Sequence, residues 1–240
     1  RPRKIESGEL PIDVAFIACP TVDKNGNGYG AIGNAACGSL GYSLTELKYA
    51  KKVVLITDNL VDCLEKYEID SKYVDYVVVI DKIGDANGIV SGTTKITKDP
   101  VGLKIASMTA KLLNELGLIE NGVSMQTGAG GTSLAVASYV RELMIKKNVK
   151  GSFASGGITS YFVNMASEGL LEKLMDVQCF DLDAVNSYAN NPFHFGMSDS
   201  KYANPYDEPV VNGLDFVILG ATEIDKNFNV LLTVREGNII

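Results

Sequence analysis

Short β-branched apolar runs alternate along the chain with segments of helical spacing, and this alternation predicts strands and helices in turn, the order of an open, mainly parallel α/β sheet. Ile12 to Ala18 is the first run, closed by Pro20 and followed by Lys24-Asn25-Gly26-Asn27-Gly28, turn chemistry too dense for a regular element. Ser43-Leu44-Thr45-Glu46 fits a capping box, in which Ser43 and Glu46 satisfy each other's free backbone donors, and predicts a helix running to about Ala50. Val53 to Thr57 and Val74 to Ile80 read as two further strands, with helical spacing over Leu60 to Tyr67 between them.

Gly84 to Asp99 carries Gly, Asn, Thr and Lys without periodicity and reads as a linker between two lobes. Asp99 then caps a new helix with Pro100 in its first turn, and Leu103, Ala106, Ala110, Leu113 and Leu116 line one face until Gly117 ends it. Strands are expected at Val123 to Thr127, Gly151 to Ala154 and Val177 to Phe180, and helices at Ser133 to Lys147, Tyr161 to Ser167 and Leu182 to Ala189. Phe216 to Leu219 and Asn229 to Val234 read as final strands around a turn at Asp225-Lys226-Asn227. The fold class is therefore α/β, with two open, mainly parallel sheets and flanking helices, divided into residues 1–98 and 99–240. The opening Arg1-Pro2-Arg3-Lys4 and the stop at Ile240 just after a Gly237-Asn238 turn suggest a piece of a longer chain.

Composition narrows the class. With 46% hydrophobic and 21% charged residues the chain can bury one large core or two modest ones. No stretch approaches the roughly 18 apolar residues of a membrane span, and no leader pattern opens the chain, so a cytoplasmic protein is expected. Cys19, Cys37, Cys63 and Cys179 are spaced too irregularly for a disulfide framework or a metal motif, which fits reduced thiols, and no metal is expected. A net charge of −7 argues against a nucleic-acid partner, because neutralising phosphates needs clustered Lys and Arg.

The sharpest local signal is Gln126-Thr127-Gly128-Ala129-Gly130-Gly131-Thr132-Ser133, after a strand and opening a helix. Its glycines let backbone approach a ligand closely, and the free N–H groups of the helix start favour a phosphate or a developing oxyanion. Ser133 stands where a dinucleotide fingerprint has its third glycine or an alanine, and the Lys of a phosphate loop is missing. A glycine-rich turn that only packs helix on sheet remains the alternative. A second turn is read at Ala154-Ser155-Gly156-Gly157-Ile158-Thr159, at the end of the next strand, so the two could face one crevice. Glu120 precedes the first turn at the opposite edge. His194, the only histidine, lies among aromatic neighbours, where packing competes with acid–base chemistry. Asn34, Cys37, Gly38 and Ser39 offer small donors and a thiol, although Cys37 has no histidine beside it in sequence.

Several of these motifs, in this order, resemble the citrate lyase alpha chain: Ile12-Asp13-Val14-Ala15-Phe16-Ile17-Ala18, Ala36-Cys37-Gly38-Ser39-Leu40-Gly41-Tyr42, Gln126 to Gly131 and Ser155-Gly156-Gly157-Ile158-Thr159. Cys179-Phe180-Asp181-Leu182-Asp183-Ala184-Val185, Tyr202-Ala203-Asn204-Pro205 and Glu223-Ile224-Asp225 extend the likeness over essentially the whole chain. The resemblance implies two lobes of the CoA-transferase type and an enzyme in which citrate displaces acetate from the thiol of an acyl carrier protein. That thiol belongs to a CoA-derived prosthetic group, for which acetyl-CoA can stand in, and a beta subunit then cleaves the citryl thioester. CoA transferases that use a glutamate nucleophile would carry it near Gly156, where this chain has no carboxylate, so the resemblance implies direct attack by a citrate carboxylate through a mixed anhydride. Backbone N–H groups of Gly128, Gly130, Gly131, Gly156 and Gly157 are then the expected catalytic donors. Ser155, Thr159, His194, Asn34 and Ser39 would hold substrate, and Gln126, Thr127, Ala129 and Thr132 the CoA-like carrier. Two rival readings are a transferase with Glu120 or Glu168 as nucleophile and a noncatalytic regulator that binds a sugar phosphate.

Overall fold

A computed structural model describes residues 1–89 and 94–231. In the first part, helix α1 (Pro2–Glu6) leads to strands β1 (Val14–Ala18), β2 (Thr21–Asp23) and β3 (Gly28–Tyr29), helix α2 (Leu44–Tyr49), and strands β4 (Lys52–Thr57), β5 (Leu60–Val61) and β6 (Tyr76–Val79). The second part runs α3 (Pro100–Glu115), β7 (Ser124–Thr127), α4 (Gly131–Lys147), β8 (Gly151–Ile158), α5 (Ser160–Ser167), β9 (Leu171–Cys179), α6 (Leu182–Asn190), β10 (His194–Gly196), α7 (Asp199–Ala203), β11 (Phe216–Ile218) and the hairpin β12 (Glu223–Ile224) and β13 (Val230–Leu231). Among the described residues no helix is long and apolar enough to cross a membrane.

Two parallel sheets form, as the alternation predicts. One has the order β1-β4-β6 and the other β10-β9-β8-β7-β11, with every pair in both sheets parallel. The second sheet buries the larger core, with Met125, Met144, Phe162, Met165 and Leu174 fully enclosed. Tyr29, Ala31 and Leu64 of the first part join that core, so the two parts are packed together. Hydrogen bonds cross the same seam: Lys66 Nζ donates to the Tyr188 carbonyl at 3.0 Å, and the Thr45 hydroxyl to Asp199.

Local expectations fail at informative places. Leu60 to Tyr67 is not a helix: β5 pairs with β2, and Asp23 accepts the Leu64 N–H at 3.2 Å, tying the segment to the loop before it. Ser43 makes no cap bond because a 3-10 turn over Gly41–Ser43 already holds it in helical geometry, and Glu46 is taken by Arg1 instead. Asp99 caps α3 as expected, accepting the Gly102 N–H at 2.8 Å, while Leu116 at the end of the predicted stripe is exposed. Leu171–Cys179 and Gly151–Ile158 are longer strands than periodicity suggests. The expected strand Asn229 to Val234 is described only at Val230–Leu231, and its remainder, with Gly237-Asn238, lies outside the described residues, as do positions 90–93 of the expected linker.

Candidate functional site

The chain passes from β7 outward through β8, β9 and β10, then crosses back to lay β11 on the other side of β7. Such a reversal leaves a crevice beyond the carboxyl ends of the strands, the usual ligand position in open α/β sheets. The glycine loop Gly128–Gly131 emerges there. Gly128 donates its N–H to the Ile218 carbonyl at 2.8 Å, which extends the β7–β11 ladder by one bond. That N–H is therefore occupied and cannot be an oxyanion donor, contrary to expectation. Gly130 is the N-cap of α4, and Leu134 makes the first intrahelical bond to its carbonyl at 3.0 Å. The N–H groups of the first turn, Gly131 among them, thus have no partner inside the helix. Residues 95–97 lie over this turn, with Thr97 donating to the Gly131 carbonyl at 3.0 Å, so the expected linker forms one wall of it. A side chain at 131 would meet the Lys95 carbonyl at 2.9 Å.

The second glycine pair is not a turn. Ser155, Gly156 and Gly157 lie inside β8, where the register with β9 slips between Gly156 and Gly157. Gly156 takes φ +99°, a conformation that only glycine adopts without strain. A Cβ there would press on the Gln126 carboxamide at 2.9 Å, and a Cβ on Gly157 would fall 1.8 Å from the Phe180 ring. These glycines let neighbouring side chains lie flat on the strand.

What the strand ends carry is more telling. Gln126 Oε1, Thr127 Oγ1, Ser155 Oγ and Thr159 Oγ1 are buried without a hydrogen-bond partner, four of only six such side-chain atoms among the described residues. They sit on two adjacent strands and at the start of the following helix, all toward the carboxyl edge. Native proteins pair almost all buried polar atoms, so unpaired ones along one sheet edge make that edge a candidate place for a ligand. The other end of the Gln126 amide is held: its Nε2 lies 2.6 Å from the Tyr202 hydroxyl of α7.

Next to β8, the end of β9 and the loop 37–43 enclose a cavity of about 300 Å³ lined by Cys37, Ser39, Tyr42, Gln178 and Cys179. A second cavity of about 250 Å³ shares Cys37 and Ile89 with it and reaches Ala18 at the end of β1. The carboxyl edges of the two sheets therefore open toward a common region. Ser39 is braced there, donating to Glu68 at 2.8 Å, while the Leu40 N–H donates to the other Glu68 oxygen at 2.9 Å. Desolvation raises the Glu68 pKa above its ordinary value. Burial likewise pushes the Cys37 thiol up to about 11 and Cys19 up to about 12, which leaves neither as a ready thiolate nucleophile.

His194 and Asn34 do not join the cluster. The His194 ring is buried, with Nε2 3.0 Å from Asp176 and Nδ1 3.0 Å from Ser187, so neither nitrogen is left for a substrate. Asp176 also accepts the Cys179 thiol at 2.9 Å and the Gln178 N–H at 2.8 Å. Asp176, Cys179 and His194, three potential metal ligands, are close together, with Cys179 and His194 each already hydrogen-bonded to Asp176. Asn34 is exposed on a loop, and its carbonyl accepts the Ala86 N–H at 3.3 Å. Glu120 and Glu168, the rival nucleophiles, both lie beyond the amino ends of the strands, and Glu168 is held by Arg141 through bonds of 2.7 and 2.8 Å, which lower its pKa. Tyr202 and Glu68 were given no role by the sequence. Tyr202 lies in one of the motifs that carry the resemblance, but nothing local in Tyr-Ala-Asn-Pro points to a carboxamide 76 residues away.

All 240 residues match the family model described as citrate lyase, alpha subunit. The chain belongs to the citrate lyase alpha subunit family. It is 42% identical over 236 residues to the citrate lyase alpha chain of Escherichia coli (strain K12), covering 97% of this chain and 46% of that protein. The Klebsiella pneumoniae citrate lyase alpha chain is 41% identical over 243 residues, covering 100% and 48%. Among solved structures, an alpha subunit of citrate lyase from Streptococcus mutans, in complex with citrate, superposes with TM-score 0.93 at 43% identity over 97% of this chain and 46% of that one. The malonate decarboxylase alpha subunit of Acinetobacter baumannii, 17% identical over 98% of this chain and 47% of that one, shares the fold at TM-score 0.62. An acyl-CoA transferase of Escherichia coli O157:H7 does so at 0.52, with 18% identity over 96% and 40%. The chain spans about half the length of the curated relatives it matches.

Proposed function

We propose that this chain is part of a cytoplasmic transferase subunit of citrate lyase, which places citrate on the thiol of an acyl carrier protein in exchange for acetate. Residues 1–98 supply the C-terminal part of one CoA-transferase lobe and residues 99–240 most of the second. The carrier's CoA-derived group, or acetyl-CoA in its place, enters with its thioester at the carboxyl edge of the second sheet, and the citryl carrier passes to a beta subunit for cleavage. One observation carries this reading: the four unpartnered buried groups of Gln126, Thr127, Ser155 and Thr159 share one sheet edge with the free N–H groups of α4. The related Streptococcus mutans structure that holds citrate supports the choice of ligand.

Thr127, Ser155 and Thr159 are suited to hold citrate carboxylates, which accept hydrogen bonds from hydroxyls. A citrate carboxylate oxygen attacks the acetyl carbonyl carbon, the C–S bond breaks, and a mixed anhydride and a thiolate result. The thiolate then attacks the citryl carbonyl and acetate leaves. Orientation of this kind is worth roughly 7–11 kcal/mol of barrier. We assign stabilisation of the oxyanion to the N–H groups of the first turn of α4, at Gly131 and Thr132, and one such donor is worth about 3–4 kcal/mol. Gly156 and Gly157 contribute by letting Gln126 and Phe180 pack. The two carboxylates of the glutamate-nucleophile reading lie at the wrong edge of the sheet for this chemistry.

The test uses the full-length enzyme with acetyl-CoA and citrate. Citryl-CoA and acetate are expected as products, and intact mass after incubation with acetyl-CoA alone should show no CoA adduct on the protein. A stable glutamyl-CoA adduct would refute direct attack. Stabilisation by a sugar phosphate, with none by acetyl-CoA or citrate, would refute the enzyme.

A further inference from the structure

The Gln126 carboxamide lies flat on Gly156, held at one end by the Tyr202 hydroxyl, with the other end buried and without a partner. A carboxamide presents two donors at one end and an acceptor at the other, and a half-turn about its last torsion exchanges them. A tyrosine hydroxyl, which both donates and accepts, is compatible with either orientation. In the structure Nε2 donates to Tyr202 and Oε1 is the buried atom without a partner. A thioester carbonyl or a carboxylate has only acceptors to offer, so it cannot satisfy Oε1. It can satisfy Nε2 if the amide turns over, and Tyr202 then donates to Oε1.

We infer that Tyr202 is a positioning residue for the proposed transfer: by donating to Oε1 it holds the Gln126 amide with its N–H groups toward the acyl or carboxylate oxygen of the substrate. The placement of Tyr202 fits the task. Its helix α7 is capped by Ser198, which accepts the Lys201 N–H at 3.0 Å, and is tied to the first part of the chain through Asp199 with Thr45 and through Asn204 with Glu6. The Tyr202–Gln126 bond therefore joins a helix anchored at the seam between the two sheets to the floor of the site. The seating of the two parts against one another sets the position of the hydroxyl, and once the ligand's acceptor draws the amide N–H groups toward it, the hydroxyl holds the other end in that orientation.

This inference rests on the proposed transferase reading, and a double-mutant cycle on the full-length enzyme separates the two. Tyr202→Phe removes only the hydroxyl. Gln126→Met removes the amide while keeping its length over Gly156. In the acetyl-CoA plus citrate assay, Y202F should lower kcat/KM roughly tenfold, the equivalent of one neutral hydrogen bond. Q126M should lower it at least as much, and the double variant should match Q126M alone, because without the amide the hydroxyl has nothing to orient. Gln126→Glu, which keeps the bond to Tyr202 but turns an anionic acceptor to the ligand, should fall below Q126M. An additive loss in the double variant overturns the inference, since a merely structural role for Tyr202 would persist without Gln126. Wild-type-like activity of Q126E also overturns it, because the end facing the ligand would then be an acceptor. Absence of transfer by the wild-type enzyme sinks the function reading and the inference together.

Discussion

Ser155→Ala should make the ligand-free protein more stable and the liganded one weaker, opposite signs that a structural serine would not show. Ser155 is fully buried in β8, and its Oγ has no partner. Leaving a buried polar group unsatisfied costs about 1–3 kcal/mol, while losing one oxygen from a packed site costs a fraction of that in contacts. The net expectation is a gain of about 1 kcal/mol in the unfolding free energy without ligand. When a carboxylate fills the site the same hydroxyl makes a hydrogen bond to a charged group, worth about 1.5–3 kcal/mol. Citrate affinity of S155A should therefore fall by roughly 10- to 150-fold. Thr127→Val, a change of similar shape on a strand, should behave alike. The assays are urea unfolding of the full-length protein without ligand and calorimetric titration with citrate. A ligand-free S155A that is less stable by 1 kcal/mol or more, with citrate affinity unchanged, would show the hydroxyl to be already satisfied and would remove the basis for placing the ligand here.

Other expectations concern the scaffold. The raised pKa of Glu68 means that the folded state favours its protonated form, so the stability it contributes is full below the ordinary carboxylate pKa and is lost as pH rises through the folded value. Glu68→Gln should therefore gain stability relative to wild type as pH rises from about 4 to 7 by urea midpoints, and a gap that narrows with pH would contradict this. Gly157→Ala forces a methyl into the Phe180 ring and should destabilise by about 1–3 kcal/mol, with partial rescue by Phe180→Leu in thermal unfolding. His194→Ala leaves the fully buried Asp176 without its ring partner, and leaving a buried polar group unsatisfied costs about 1–3 kcal/mol. It should appear in denaturation curves, while the citrate KM of whatever folds stays near wild type.

Part of the sheet order is open to reading because strands buried on both sides read as apolar runs, and β4 obeys that rule, whereas β7 and β8 are mostly buried yet rich in Ser, Gln, Thr and Gly, and are marked by the helices between which they alternate. The helix opened by Asp99-Pro100 was equally plain, since its cap is local chemistry. Leu60 to Tyr67 misleads because its spacing is helical while its partners, Val22, Asp23 and Lys24, are distant in sequence and no local pattern records them. Ser155-Gly156-Gly157 misled in the opposite way. Paired glycines imply a turn by composition, but here they are the hollows in a strand that receive Gln126 and Phe180, side chains about 30 and 23 residues distant. Of the groups at the candidate site, the glycine loop, Ser155 and Thr159 can be singled out from the sequence, whereas the contacts of Tyr202, Glu68 and Asp176 arise only from tertiary neighbours.

The unpartnered atoms also explain where motion belongs. Groups left unsatisfied in a protein persist only if the surrounding structure over-determines them. Strands β7 and β8 meet that condition, being interior to the five-stranded sheet, flanked by β11 and β9, and covered by the buried faces of α4 and α5. Hydroxyls on such strands are preorganised and cannot swing to meet a ligand. Adjustment on binding must then come from the parts that are not strands: the first turn of α4 under residues 95–97, and α7 at the seam. If the enzyme closes on its substrates, hydrogen exchange should slow in Lys95–Thr97 and Asp199–Ala203 on adding citrate and stay unchanged in β7 and β8. Protection that instead builds up in β7 and β8 would mean that the site is assembled by the ligand rather than waiting for it.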